Sequence, residues 1–166
     1  MAKRDLAAEL LRELGQDRTQ YHSGEELSVR LGVSRTAVWK AACRLREQGV
    51  QVDMFDTSVT PASYILAAAF RFSHVVLAAP TYNGGVFVTM ENLLHDLTAH
   101  GLKGRRAAYI ENGSWAPTSA RGMQKLLEPL GWEQAADTVT LRSALRQGQQ
   151  EDLERMAAQL AESVKA

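Results

Sequence analysis

The stretch "LAAPTYNGGVFVTMENLLHDL", Leu77 to Leu97, sets an apolar run, a loop of Pro, Thr, Tyr, Asn and two glycines, and a helical pattern in direct succession. An apolar run bounded by turn residues predicts a strand over 74–79. The 3.6-residue spacing after the loop predicts a helix over 88–100. Working outward, the same order recurs: strand 50–56 and helix 61–70 before this unit, then strand 106–111, helix 118–130, strand 138–141 and helix 149–165 after it. Strands alternating with helices predict an α/β fold with a parallel sheet covered on both faces.

In such sheets, ligands sit beyond the carboxyl ends of the strands. Two loops there are richer in polar groups and glycine than a connection requires. In "PTYNGG", Gly84 and Gly85 let backbone N–H groups approach a ring system, Thr81 and Asn83 offer hydrogen bonds, and Tyr82 offers a stacking face. In "ENGSWAPTS", Asn112, Gly113 and Ser114 repeat the polar supply and Trp115 adds a second aromatic wall. Together they suit a flat cofactor with polar edges.

Upstream, residues 1–49 read as a separate three-helix unit. "KRDLAAELLRELG" places apolar residues at 6, 10, 11 and 14, one helix face, and stops at Gly15. "HSGEELSVRLG" opens with Ser23 three residues before Glu26, a reciprocal capping pair. Beyond Gly32, Ser34 caps a third helix that turns Val38, Ala42 and Leu45 inward and Arg35, Thr36, Trp39, Lys40, Cys43 and Arg46 outward. That helix ends near Gly49. Between Arg30 and Arg46 there are five basic residues and no acidic one, although the chain carries 19 of each sign. Two short helices around a glycine turn, the second basic on its free face, can lay a helix in a major groove.

"SGEELSVRLGVSRTAVWKAACRLREQGV" resembles the N-terminal helix-turn-helix of biotin-repressor-type regulators, over roughly residues 4–50. The resemblance implies that Ser34, Arg35, Thr36 and Lys40 approach double-stranded DNA. From Asp56 onward, "DTSVTPASYILAAAFRFSHVVLAAPTYNGGVFVTMENLLHDLTAHGLKGRRAAYIENGSWAPTSARGMQKLLEP" resembles the flavodoxin-like domain of A-type flavoproteins, the flavodiiron oxygen and nitric oxide reductases. That resemblance spans roughly residues 47–155 and implies an FMN-binding, electron-transferring domain with a redox partner protein. Carried over by motif, Pro80, Thr81, Tyr82, Asn83, Gly84, Gly85, Asn112, Gly113, Ser114 and Trp115 line the isoalloxazine.

The departures from that pattern are specific. The diiron domain is missing, and His22, His74, His95 and His100 lack its ligand constellation, so oxygen or nitric oxide reduction is not expected. The first flavodoxin strand and its phosphate loop are also missing, with the helix-turn-helix in their place. In the order 2-1-3-4-5 that strand is central. Strand 50–56 then slides beside 74–79, remains outside the sheet, or pairs with another chain; the first is the expectation, with homodimerisation next. A substitute anion site at "GVSRT", residues 32–36, would use a helix N-terminus.

Composition fits a globular chain: hydrophobic residues make up 45% and charged residues 23%, which argues against disorder. The single Cys43 excludes an internal disulfide, and no run suits a membrane span or signal peptide, so a cytoplasmic protein is expected. Three functions remain: a flavin-linked electron-transfer or redox-sensing module docked by the helix-turn-helix, a DNA-binding regulator whose flavodoxin part is a scaffold or dimerisation surface, and a recombined or truncated product without separate activity.

Overall fold

The computed structural model describes residues 37–145 and 147–166, with side chains omitted at 37–41 and 147. Helix α1 (Ala37–Glu47) buries Ala42 and Leu45, two of the three inward residues expected from the sequence; the side chain of the third, Val38, lies outside those described. It ends in a left-handed Gly49, φ 79°, with Gly49 N–H donating to Arg46 O and Val50 N–H to Leu45 O. This is the paired closure that satisfies orphan helix carbonyls, and Val50 packs into the same apolar cluster as Leu45.

Helix α2 (Ala62–Arg71) leads into β1 (His74–Tyr82), a short β2 (Gly85–Val86), α3 (Val88–Ala99) and β3 (Arg106–Asn112). Helix α4 (Ser119–Leu127), β4 (Glu133–Gln134), β5 (Val139–Leu141) and α5 (Gln147–Lys165) follow. The helix expected over 118–130 tightens into a 3-10 turn at Glu128–Leu130, where Pro129 has no N–H to continue the ladder.

The sheet order is β2-β1-β3-β4, with β5 also on β3. β1 and β3 pair in parallel from His74↔Arg106 to Pro80↔Asn112. β4 takes the amino end of β3 and β5 its carboxyl end, both parallel. Among the described strands, β2 alone runs antiparallel. β3 is buried from Ala107 to Glu111, and its side chains alternate between two cores. Ala107 and Tyr109 join Leu94, Leu97, Met123 and Leu127 under α2, α3 and α4; Ala108 and Ile110 join Leu45, Leu153 and Met156 under α1 and α5. A strand covered on both faces has no polar side to alternate with, hence its near-continuous apolar sequence.

The expected strand over 50–56 does not form. Its backbone enters no ladder among the described residues, so it neither slides beside β1 nor joins the sheet. Val50 and Val52 still pack on the α1–α5 core, Asp53 pairs with Arg71 at 3.3 Å, and Thr57 Oγ1 meets Thr89 Oγ1 at 3.0 Å. Side-chain contacts, and no ladder to another described strand, anchor this segment.

At the amino end of the sheet, His74 shares hydrogen bonds with Ser73 Oγ at 2.8 Å and Ser163 Oγ at 3.0 Å. Partial withdrawal from water, and then the charge of Arg106, hold its pKa below the ordinary 6.5. A histidine whose folded pKa is depressed binds its proton better unfolded, so its contribution is complete above pH 6.5 and is lost as pH falls below that value. Urea unfolding at stepped pH is expected to show stability falling below pH 6.5, and His74→Gln should flatten that slope.

Candidate flavin crevice

The loop after β1 is a two-residue hairpin. Asn83 and Gly84 have φ of 48° and 74°, and Tyr82 pairs with Gly85. Positive φ at both central residues belongs to the type I′ turn, for which Asn-Gly is the preferred pair because its twist matches the strands. Asn83 and Gly84 therefore turn the chain first, and any ligand contact they make is additional. The hairpin folds Phe87 against Tyr82, ring centroids 5.8 Å apart and nearly perpendicular. Phe87 was not among the residues expected at this site.

The loop after β3 adjoins the first. Thr81 Oγ1 accepts hydrogen bonds from Thr118 N–H at 2.9 Å and Ser119 N–H at 3.1 Å, so it caps α4 across the loop boundary. Thr118 Oγ1 donates to Gly84 O at 3.0 Å and Ser119 Oγ to Ala79 O at 2.8 Å. Gly113 is required by close approach: a Cβ there would lie 3.0 Å from Pro117 Cα and 3.4 Å from Thr81 Cβ. Beneath the loops, the buried Glu111 accepts Ala120 N–H at 3.0 Å and Thr140 Oγ1–H at 2.8 Å, tying β3 to α4 and β5.

The ten expected ring-lining residues thus divide by what they already do. Thr81 is occupied as a helix cap, and Asn112 is turned toward the next loop, donating to Ser143 O and accepting Ser143 N–H, both at 3.0 Å. Pro80 is exposed at the end of β1. Asn83 and Ser114 are exposed, Gly85 faces Tyr82 O, and two large aromatic surfaces are left to solvent: Tyr82 is 50% exposed and Trp115 94%. Tyr82 and Trp115 thus present exposed aromatic surfaces on the two loops, of the kind against which a flat ring such as a flavin's can stack. The sequence's candidate for the phosphate end of such a cofactor, residues 32–36, lies outside the described residues. A shallow cavity of about 620 Å³ lined by Gln134, Asp137, Gln159 and Ser163 does not include these loops.

Ser34, Arg35 and Thr36 also lie outside the described residues. Lys40 falls on α1, without a described side chain. Cys43 is a free, half-buried thiol on the same helix. No group of three or more His, Cys, Asp or Glu suited to a metal ion occurs among the described residues, and no described helix is long and apolar enough to cross a membrane.

Comparison with known proteins gives matches for both halves. Residues 7–54 match the sequence model of an HTH domain. The rubredoxin oxygen:oxidoreductase of Desulfovibrio gigas aligns in structure with a TM-score of 0.74 at 19% identity, covering 78% of this chain and 32% of that one. The flavodiiron protein of Giardia intestinalis gives 0.71 at 13%, covering 78% and 32%. A flavodoxin of Streptococcus pneumonia gives 0.67 at 21%, covering 77% of this chain and 89% of the flavodoxin. The fold is flavodoxin-like. A match to a helix-turn-helix model over 7–54 thus precedes a flavodoxin-like fold, and the chain spans about a third of the length of the rubredoxin oxygen:oxidoreductase and of the flavodiiron protein it resembles. No curated protein matches it in sequence.

Proposed function

We propose that this chain is a cytoplasmic DNA-binding protein whose flavodoxin-like part, residues 50–166, takes the isoalloxazine of FMN between Tyr82 and Trp115, and so serves as a redox-sensing or electron-transferring module. The observation that carries this reading is the exposure of both aromatic rings at the carboxyl end of the sheet, where burial would otherwise be favoured. Bound flavin would supply reversible electron uptake. The residues of the chain cover its faces, and Asn83 and Ser114 offer polar groups at its edge. The DNA reading rests on the helix-turn-helix match over 7–54, with Ser34, Arg35, Thr36 and Lys40 as the contacting residues on double-stranded DNA.

A second reading, in which the α/β part is a scaffold for a DNA-binding regulator, is favoured by the internal occupation of Thr81 and Asn112. Fluorescence-quench titration with FMN separates the two. On the flavin reading, Tyr82→Ala and Trp115→Ala each weaken binding by about fivefold to tenfold, the worth of about 1 kcal/mol of ring contact. Unchanged affinity in both variants would remove the crevice from the site and leave the scaffold reading.

A further inference from the structure

The sequence holds two Asn-Gly steps, Asn83-Gly84 and Asn112-Gly113, one in each crevice loop. Asparagine followed by glycine is the step most open to attack by the next backbone nitrogen on the side-chain amide, because glycine has no side chain to hinder ring closure. The fold treats the two steps differently. Asn112 is half-buried, and its amide is held by Ser143 O and Ser143 N–H, both at 3.0 Å. The nitrogen that would attack it, that of Gly113, donates to Leu141 O at 3.2 Å, and Pro117 Cα stands 3.0 Å from the position of a Cβ on this glycine. Asn83 and Gly84 have no such restraint. Both are exposed, and among the described residues nothing hydrogen-bonds to the Asn83 side chain or to Gly84 N–H. Gly84 is anchored by its carbonyl, which accepts Thr118 Oγ1–H at 3.0 Å, and nothing lies within 4 Å of the position of a Cβ on it. Bringing Gly84 N to Asn83 Cγ opens the turn, which disturbs only the end pair of a two-residue strand, Tyr82↔Gly85.

We propose that Asn83 is a site of spontaneous deamidation, and that the fold withholds Asn112, with the same local sequence, from that reaction. Gly84 N gives its proton to water or hydroxide and bonds to Asn83 Cγ; the Cγ–Nδ2 bond breaks and ammonia leaves. A five-membered imide then joins the two residues. Water opens it at one carbonyl or the other, with no change of oxidation state, to leave aspartate or isoaspartate. Either product adds one negative charge to a chain whose formal net charge is zero. In isoaspartate the backbone runs through the former side chain and gains a methylene, which a two-residue type I′ loop has no room for. That product breaks the Tyr82↔Gly85 pair and releases Phe87 from the Tyr82 ring. On the flavin reading above, on which this last consequence alone rests, an aged chain binds the anionic FMN more weakly than a fresh one.

Timed incubation of the folded full chain in mildly alkaline buffer, followed by tryptic digestion and mass spectrometry, tests this without any cofactor. Trypsin separates the two steps, placing Asn83 in the peptide 72–103 and Asn112 in 107–121, and fragmentation assigns the exchange of amide for carboxyl to its residue. The expected result is conversion at Asn83 about tenfold to hundredfold faster than at Asn112, whose three hydrogen bonds must break first. In urea, where neither loop is held, the two rates should converge. Equal rates in the folded chain, or faster conversion at Asn112, overturn the proposal, as does a difference between the two that persists unchanged in urea.

Discussion

Glu111→Ala is expected to lower the unfolding free energy by about 3 to 5 kcal/mol, read by urea denaturation. Glu111 is 8% exposed and carries two hydrogen bonds, to Ala120 N–H at the start of α4 and to Thr140 on β5. Bonds to a carboxylate are each worth about 1.5 to 3 kcal/mol, and truncation leaves the Ala120 N–H buried without its acceptor. Glu111→Gln has the same length and can keep one acceptor for Ala120 and exchange roles with Thr140. It should cost about 1 kcal/mol, the charge assistance alone. Equal losses in the two variants would mean that volume, rather than these bonds, holds the crevice floor together.

The second large effect concerns DNA. Arg35→Ala with Lys40→Ala is expected to reduce duplex affinity about a hundredfold near 0.1 M salt, and to flatten the log–log salt dependence by about 1.8, since each phosphate contact contributes about 0.9 to that slope. The basis is the helix-turn-helix match over 7–54 together with the run of basic residues without an acidic one between Arg30 and Arg46. A loss of affinity with an unchanged slope would indicate that the pair supports the helix without touching phosphate.

The sequence disclosed much of this architecture where periodicity was the cause. The strands over 74–79 and 106–111 and the helices over 88–100 and 149–165 follow from apolar runs and 3.6-residue spacing, and all four form within a few residues. Strand 50–56 did not, because alternation at Val50 and Val52 records which side chains are buried, whereas a strand also needs a neighbour for its backbone. Val50 and Val52 are half-buried, but Met54, the next residue of the expected alternation, is 43% exposed. β4 was invisible because two polar residues, Glu133 and Gln134, pair by backbone position alone.

At the crevice, the loops were legible and the employment of their residues was not. Asn83-Gly84 supplies polar groups to a ligand in the sequence reading but is also a strong hairpin signal, and the turn it encodes brings Phe87 back against Tyr82. Thr81 and Asn112 find their partners 37 and 31 residues away, at Thr118 and Ser143, a distance over which local pattern carries no information. Glu111 was likewise hidden, since a carboxylate within "RRAAYIE" looks like the polar end of a strand until the fold brings the start of α4 to it.

The most direct test of flavin binding is the visible absorbance of the purified 166-residue chain, followed by FMN titration. Saturable quenching at micromolar FMN, lost with Tyr82→Ala and Trp115→Ala, is the predicted result. A colourless chain that leaves FMN fluorescence unchanged would contradict the flavin reading, and "PTYNGG" would then be a hairpin that serves the fold alone.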